Sequence, residues 1–142
     1  MKIFVDTNIL ISGIFFTGKE SRLLSLPGIE LFTSDVAVME LREVVVRKFA
    51  SLKVESKRIA FQEVEKALGD VRVIGWKETM RYLMEATKLV NGKNDRKILA
   101  AVLSVKPDYF VTGDKHFHTE VVKQKVRVKY TKDILRELKI SK

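Results

Sequence analysis
A chain of 142 residues with 27 Lys and Arg against 18 Asp and Glu, a net charge of +9, is long enough for one domain with a real core and too short for two comfortable ones. The absence of cysteine excludes disulfides, thiolate zinc sites and cysteine nucleophiles together, so any metal must be held by oxygen or histidine. Apolar runs are short and interrupted by charge, and the first residues lack the basic start and apolar body of a secretion signal, which argues against a membrane span and for a cytoplasmic location.

In chain order, "KIFVD" reads as a first strand and "TNILISGIFF" as a helix that stops near Gly18. "GIELFTS" is a short second strand, and "SDVAVMELREVVVRKFA" a long helix capped by Ser34 or Asp35. "SKRIAFQEVEKAL" is a helix with Ser56 at its start and Gly69 just past its end. A third strand, "VRVIG", precedes two helices, "WKETMRYLMEATKLV" and "NDRKILAAVLSV". Pro107 ends the second of these, because its missing N–H and fixed φ cannot continue a helix. "DYFVTG" and "VRVKY" complete the strands, and "TKDILREL" is a last short helix. Strands separated by helices imply a three-layer α/β/α sandwich around a parallel sheet of four or five strands, over residues 1–142 as a single domain.

Open parallel sheets bind ligands outside the carboxyl ends of their strands, where strand order reverses. The residues to read are therefore those just after each strand. Asp6 follows strand one, and Gly113 and Asp114 follow strand four. Each aspartate has a plain alternative as a helix cap. Asp95 is followed by Ile98, Leu99 and Val102 at i+3, i+4 and i+7, which sets its charge at the head of an inward face; the alternative is a first-turn aspartate on the helix dipole, behind an Asn94 cap. On the long helix, Glu40, Glu43 and Arg47 form the one polar seam. It is either a solvated stripe with a Glu43–Arg47 pair or a face turned toward the sheet edge, and Glu40 is a turn closer to that edge than Glu43.

Acids gathered without a counter-charge repel one another and raise their pKa values, an arrangement suited to a hard cation such as Mg²⁺ or Mn²⁺. A divalent ion activates water against a phosphodiester, and a basic chain attracts polyanions, so metal-assisted hydrolysis of nucleic acid is the chemistry these residues favour.

"VDTN", "SDVAVMEL", "NDRKILAAVL" and "YFVTGDKHF", in this order from residue 2 to about 118, resemble the PIN-domain family of nucleases, best known as toxins of prokaryotic toxin–antitoxin pairs. The resemblance implies Asp6, Glu40, Asp95 and Asp114 as catalytic, metal-holding acids for Mg²⁺ or Mn²⁺. It also implies Asn8 as a polar group behind them and Thr112 as a hydroxyl beside the site, whereas Thr7 simply begins its helix. An endoribonuclease toxin follows, with RNA as substrate, an antitoxin as protein partner and pairing into a homodimer. Lys93 and Lys115 flank the acids and are candidates for phosphate contact; Arg96 and Lys97 fall away from the apolar face. Where such domains often carry further acids, this chain has Lys93 and His116, and both His116 and His118 are expected on the surface. Phe15, Phe16 and Leu24 belong either to a partner surface or to the core.

Other readings fit less well. A haloacid-dehalogenase-type phosphatase needs a second aspartate where Asn8 stands, a receiver domain needs paired acids after strand one, and no glycine-rich phosphate loop is present. A non-catalytic PIN-like module that grips RNA remains as the alternative. The charged fraction of 32% beside two Gln and three Asn matches a thermophile's composition.

Overall fold
The computed structural model describes residues 1–138. Its centre is a five-stranded, all-parallel sheet of β1 (Lys2–Val5), β2 (Glu30–Ser34), β3 (Val71–Ile74), β4 (Tyr109–Val111) and β5 (Val128–Lys129), in the order β3-β2-β1-β4-β5. The chain winds outward from β1 through β2 to β3, then returns to the other side of β1 with β4 and continues to β5. The reversal therefore lies between β1 and β4, whose register pairs Phe4 with Phe110 and Val5 with Val111.

Side-chain alternation along the strands divides the core into two layers, as a pleated sheet covered on both faces requires. Ile3, Val5, Leu31, Tyr109 and Val111 face one layer. They meet Ile9 and Leu10 of α1 (Thr7–Phe15), Leu23 of α2 (Lys19–Leu24) and Leu41 and Val45 of α3 (Asp35–Lys48), together with Val64 of α4 (Val54–Leu68) and Ile134 of α9 (Thr131–Glu137). Phe4, Phe32, Ile74 and Phe110 face the other layer. There they meet Ala86 of α6 (Leu83–Thr87), Leu99 and Val102 of α7 (Lys93–Val105) and Val122 of α8 (Glu120–Lys123).

Local chemistry explains most boundaries. Ser34 caps α3 by accepting from the Ala37 N–H at 3.0 Å. Helix α7 stops at Lys106, whose φ of 53° places it in the left-handed region directly before Pro107. Three expectations are corrected. Helix α4 begins at Val54 with Lys53 as its cap, because the Lys57 N–H already reaches the Lys53 carbonyl at 3.0 Å; Ser56 lies inside. Gly92, not Asn94, precedes α7. The long helix expected over 76–90 is broken into α5 (Trp76–Thr79), a 3₁₀ turn (Met80–Tyr82) and α6. At that break Thr79 is buried and its hydroxyl donates to the Trp76 carbonyl at 3.2 Å, a local bond that competes with the helical ladder. The start of α5 is held by the Asp35 carboxylate, which accepts from the Trp76 N–H at 2.9 Å.

Phe15 and Leu24 pack against the core, with Phe15 5.3 Å from Phe49 between ring centroids, while Phe16 is exposed. No Glu43–Arg47 pair forms among the described residues; the ion pair of α3 is Arg42 with Glu65 of α4 at 2.9 Å.

Phe110 is fully buried and stands edge-on to Phe4 at 5.6 Å and to Phe117 at 5.1 Å, tying the loop after β4 to the sheet. Phe110→Ala should lower the unfolding free energy by about 3–5 kcal/mol, measured by urea denaturation. A loss under about 1 kcal/mol would show that this aromatic trio does not anchor the fold.

Candidate active site
The carboxyl edge of β1 and β4 gathers the acids through short local devices. Asp6 directly follows β1 and caps α1, its Oδ1 accepting from the Thr7 N–H at 2.7 Å. Its Oδ2 accepts from the Thr112 hydroxyl, also at 2.7 Å, across the seam between β1 and β4. The same Thr112 oxygen accepts from the Asp114 N–H at 3.0 Å, so one hydroxyl orients both aspartates. Asp114 in turn accepts from the His116 N–H at 2.9 Å and caps the 3₁₀ turn Lys115–Phe117. The His116 ring closes the circle, with Nδ1 3.1 Å from Asp95 Oδ2 and 3.5 Å from Asp114 Oδ1. From α3, Glu40 Oε1 lies 3.3 Å from the Thr7 hydroxyl, which also has the Ala37 carbonyl at 3.4 Å.

Glu40, Thr7, Asp6, Thr112, Asp114, His116 and Asp95 thus form one hydrogen-bonded series. Asp6 and Asp114 serve as caps and also belong to the cluster, so the two readings of each are compatible. Burial raises the Asp6 carboxyl above the ordinary range; the bonds from Thr112 and Thr7 oppose this, and the charges of Asp114 and Asp95 add to it. Glu40 is raised by burial and then by Asp6, with its Thr7 bond opposing and Asp95 and Glu43 contributing further. Asp6 and Glu40 both carry the field of Asp95.

Asp95, Asp114 and His116 each offer a ligand atom within 4.8 Å of the others. His116 was expected to be merely a surface residue. Its ring is exposed, yet the turn returns it over the acids; the spacing Asp114-x-His116 is the signal, since an aspartate that caps its own i+2 N–H fixes that residue close by. His118 is half-buried, its Nε2 2.8 Å from the Thr112 carbonyl and its ring stacked on Tyr130 at 3.7 Å. A carbonyl only accepts, so Nε2 carries the proton. Gly92 is a further residue that sequence reasoning missed: a Cβ there would stand 2.9 Å from Asp95 Oδ2.

Thr7 begins α1 as expected, and its hydroxyl reaches Glu40 as well. Asn8 is exposed and makes no side-chain hydrogen bond among the described residues; it borders a neighbouring cavity instead. Successive helical residues are turned by about 100°, which carries Asn8 away from the direction of Thr7. Lys93 and Lys115 are exposed beside the acids. Arg96 and Lys97 are half-buried, Arg96 donating to the Val90 carbonyl at 3.2 Å and Lys97 lying 5.5 Å from the Trp76 ring centroid.

An α/β/α sheet with acids at its topological switch defines the class of protein. The PIN domain model matches residues 3–120, and the chain belongs to that family. Among solved structures it is similar to a chain of VapBC2 from Rickettsia felis bound to a promoter DNA fragment, with 19% identity, a TM-score of 0.68, and 92% of this chain and 98% of that one covered. VapBC-1 from nontypeable Haemophilus influenzae is similar at 21% identity and a TM-score of 0.67, covering 93% and 99%. A toxin–antitoxin complex from Klebsiella pneumoniae is similar at 20% identity and a TM-score of 0.63, covering 91% and 97%. At such identities the likeness is one of fold. No curated protein sequence matches the chain.

A native carboxyl pKa above its unfolded value means that the folded state holds its proton more tightly. The resulting stability is full below the unfolded value, about 4, and is lost as pH rises through the raised native value. In chelator, the stability of the parent relative to Asp6→Asn should therefore fall as pH is raised from about 4 toward neutrality. A relative rise over the same window, followed by melting temperature, would contradict the assignment of Asp6 as a repelled, buried acid.

Proposed function
We propose that this single-domain chain is a divalent-metal-dependent endoribonuclease, the toxin of a toxin–antitoxin pair. The observation that carries the reading is the convergence of Asp6, Glu40, Asp95 and Asp114 at the β1/β4 edge of a PIN domain with a net charge of +9.

The donor set fits Mg²⁺ or Mn²⁺. Carboxylate oxygens are the ligands such ions prefer, and a cation offsets both the burial that mainly raises Asp6 and Glu40 and the acidic neighbours that add to it. When bound, the ion would supply activation of a water and neutralisation of charge on the phosphodiester. The four acids would hold it. Thr112 and Thr7 fix the carboxylate orientations through the bonds described above, so that the groups need not reorganise as substrate enters. Lys93 and Lys115 are proposed to take the strand's phosphates on either side.

RNA rather than DNA is proposed because the chain resembles the family's small toxins. An antitoxin partner is proposed because similar solved structures include VapBC proteins and a toxin–antitoxin complex. Self-pairing and a cytoplasmic location belong to the same reading; among the described residues no helix is long and apolar enough to cross a membrane.

Purified protein incubated with labelled RNA or DNA in Mg²⁺, Mn²⁺ or chelator tests the proposal. RNA should be cut only with metal, and Asp95→Asn should slow cutting by about 10²-fold or more, corresponding to about 2.7 kcal/mol of lost transition-state stabilisation. Metal at a hundred times its Kd should also stabilise the parent by about 2.7 kcal/mol and leave Asp114→Asn nearly unmoved. RNA binding without cutting, and no thermal response to metal, would favour the non-catalytic module.

A further inference from the structure
The acid cluster has one basic companion. Among the described residues no Lys or Arg pairs with Asp6, Glu40, Asp95 or Asp114; the His116 ring does, with Nδ1 3.1 Å from Asp95 Oδ2 and 3.5 Å from Asp114 Oδ1. Asp95, Asp114 and His116 are also the one set of three metal-capable side chains, among the described residues, whose ligand atoms all lie within 4.8 Å of one another. Asp6 and Glu40 stand outside that set.

Packing does not explain where the ring sits, since it is exposed, and an exposed ion pair contributes little stability. Backbone geometry fixes it instead. The His116 N–H donates to Asp114 Oδ1 at 2.9 Å, in a 3₁₀ turn whose next residue, Phe117, is fully buried. On the opposing helix Gly92 leaves room for Asp95 Oδ2, the oxygen that faces the ring, because a Cβ there would stand 2.9 Å from it. The spacing suits a shared ion: neighbouring donors about 2.1 Å from an octahedral ion stand about 3 Å apart, close to the 3.1 and 3.5 Å found here.

We infer that His116 Nδ1 is itself a ligand, joining Asp95 and Asp114 around one ion, and that this nitrogen makes the site select a first-row transition ion such as Mn²⁺ over Mg²⁺. Mg²⁺ is hard and takes oxygen ligands, whereas imidazole nitrogen suits transition ions. A carboxylate oxygen only accepts, so it is an Nδ1 proton that faces Asp95; an ion takes the place of that proton, and Nε2 carries the ring's proton once the nitrogen ligates. That a divalent ion binds at these acids rests on the function proposed above; the nitrogen ligand and the selectivity it confers are the new elements.

Pulsed EPR of Mn²⁺ bound to the whole chain tests this without any cutting. The chain has two histidines, and His118 is engaged by the Thr112 carbonyl and Tyr130. The parent should show ¹⁴N coupling from a directly bound imidazole, and His116→Ala should abolish it while melting near the parent's temperature, as expected for an exposed position. In titrations, His116→Ala should weaken Mn²⁺ binding about tenfold and Mg²⁺ binding about twofold or less, and His116→Asp should narrow the preference for Mn²⁺ over Mg²⁺ about tenfold. Bound Mn²⁺ without nitrogen coupling, coupling that persists in His116→Ala, or Mn²⁺ binding that is unchanged or tighter in that variant would each overturn the His116 ligand and leave the nuclease reading standing. No Mn²⁺ binding by the parent would defeat both. Nitrogen-coupled Mn²⁺ on a chain that cuts no RNA would retain the ligand and defeat the nuclease reading.

Discussion
A carboxylate that follows the three buried residues Ile3, Phe4 and Val5 and is itself buried must be stabilised locally or remain protonated. Asp6 meets this constraint with two 2.7 Å hydrogen bonds, one from the Thr7 N–H and one from the Thr112 hydroxyl. Bonds to a charged acceptor contribute about 1.5–3 kcal/mol each, against a desolvation cost of several kcal/mol for a buried ion. The balance leaves the Asp6 carboxyl raised, with burial the largest cause and its acidic neighbours adding to it. The site is stable enough to fold and remains short of positive charge.

Strand order determines which residues can share that shortage. With β1 central and β4 beside it, the loop after β4 crosses directly over the end of β1, and Thr112 can bond Asp6 only because Val5 and Val111 are paired in register. A slip of one residue would turn Thr112 to the opposite face of the sheet. Glu40 and Asp95 come from helices on the two sides of the sheet, α3 and α7, so both layers must be packed before the cluster is complete. Phe110, Phe117 and Phe4 hold one of these layers against the strands that carry Asp6 and Asp114. Core packing and site geometry are thus one problem.

Much of this arrangement was legible from the chain alone, for reasons that differ by residue. Asp6 and Asp114 follow the ends of apolar strands, Asp95 heads the apolar face of its helix, and Glu40 lies in the one polar seam, with Glu43 and Arg47, of the other. Short apolar runs between helical patterns also marked all five strands, three of them, β1, β2 and β4, buried along nearly their whole length. What periodicity does not encode is the path of a short turn. The return of His116 over the acids depends on the 3₁₀ turn after Asp114, and the break of the helix at Thr79 depends on a hydroxyl that bonds its own backbone. The helices α2 and α8 are too brief to show a helical period in the sequence. Asn8 was misplaced because adjacency in sequence to Asp6 says little about direction once the chain turns helical.

The account's central claim is that four carboxylates from separate parts of the chain make one pocket for a divalent ion. Crystals soaked in Mn²⁺ and measured near the manganese absorption edge test it most directly. The account predicts an anomalous peak within coordination distance of Asp6, Glu40, Asp95 or Asp114 carboxylate oxygens, absent after chelation. Mn²⁺ bound only elsewhere on the surface, with the edge cluster free of anomalous density at saturating metal, would contradict it.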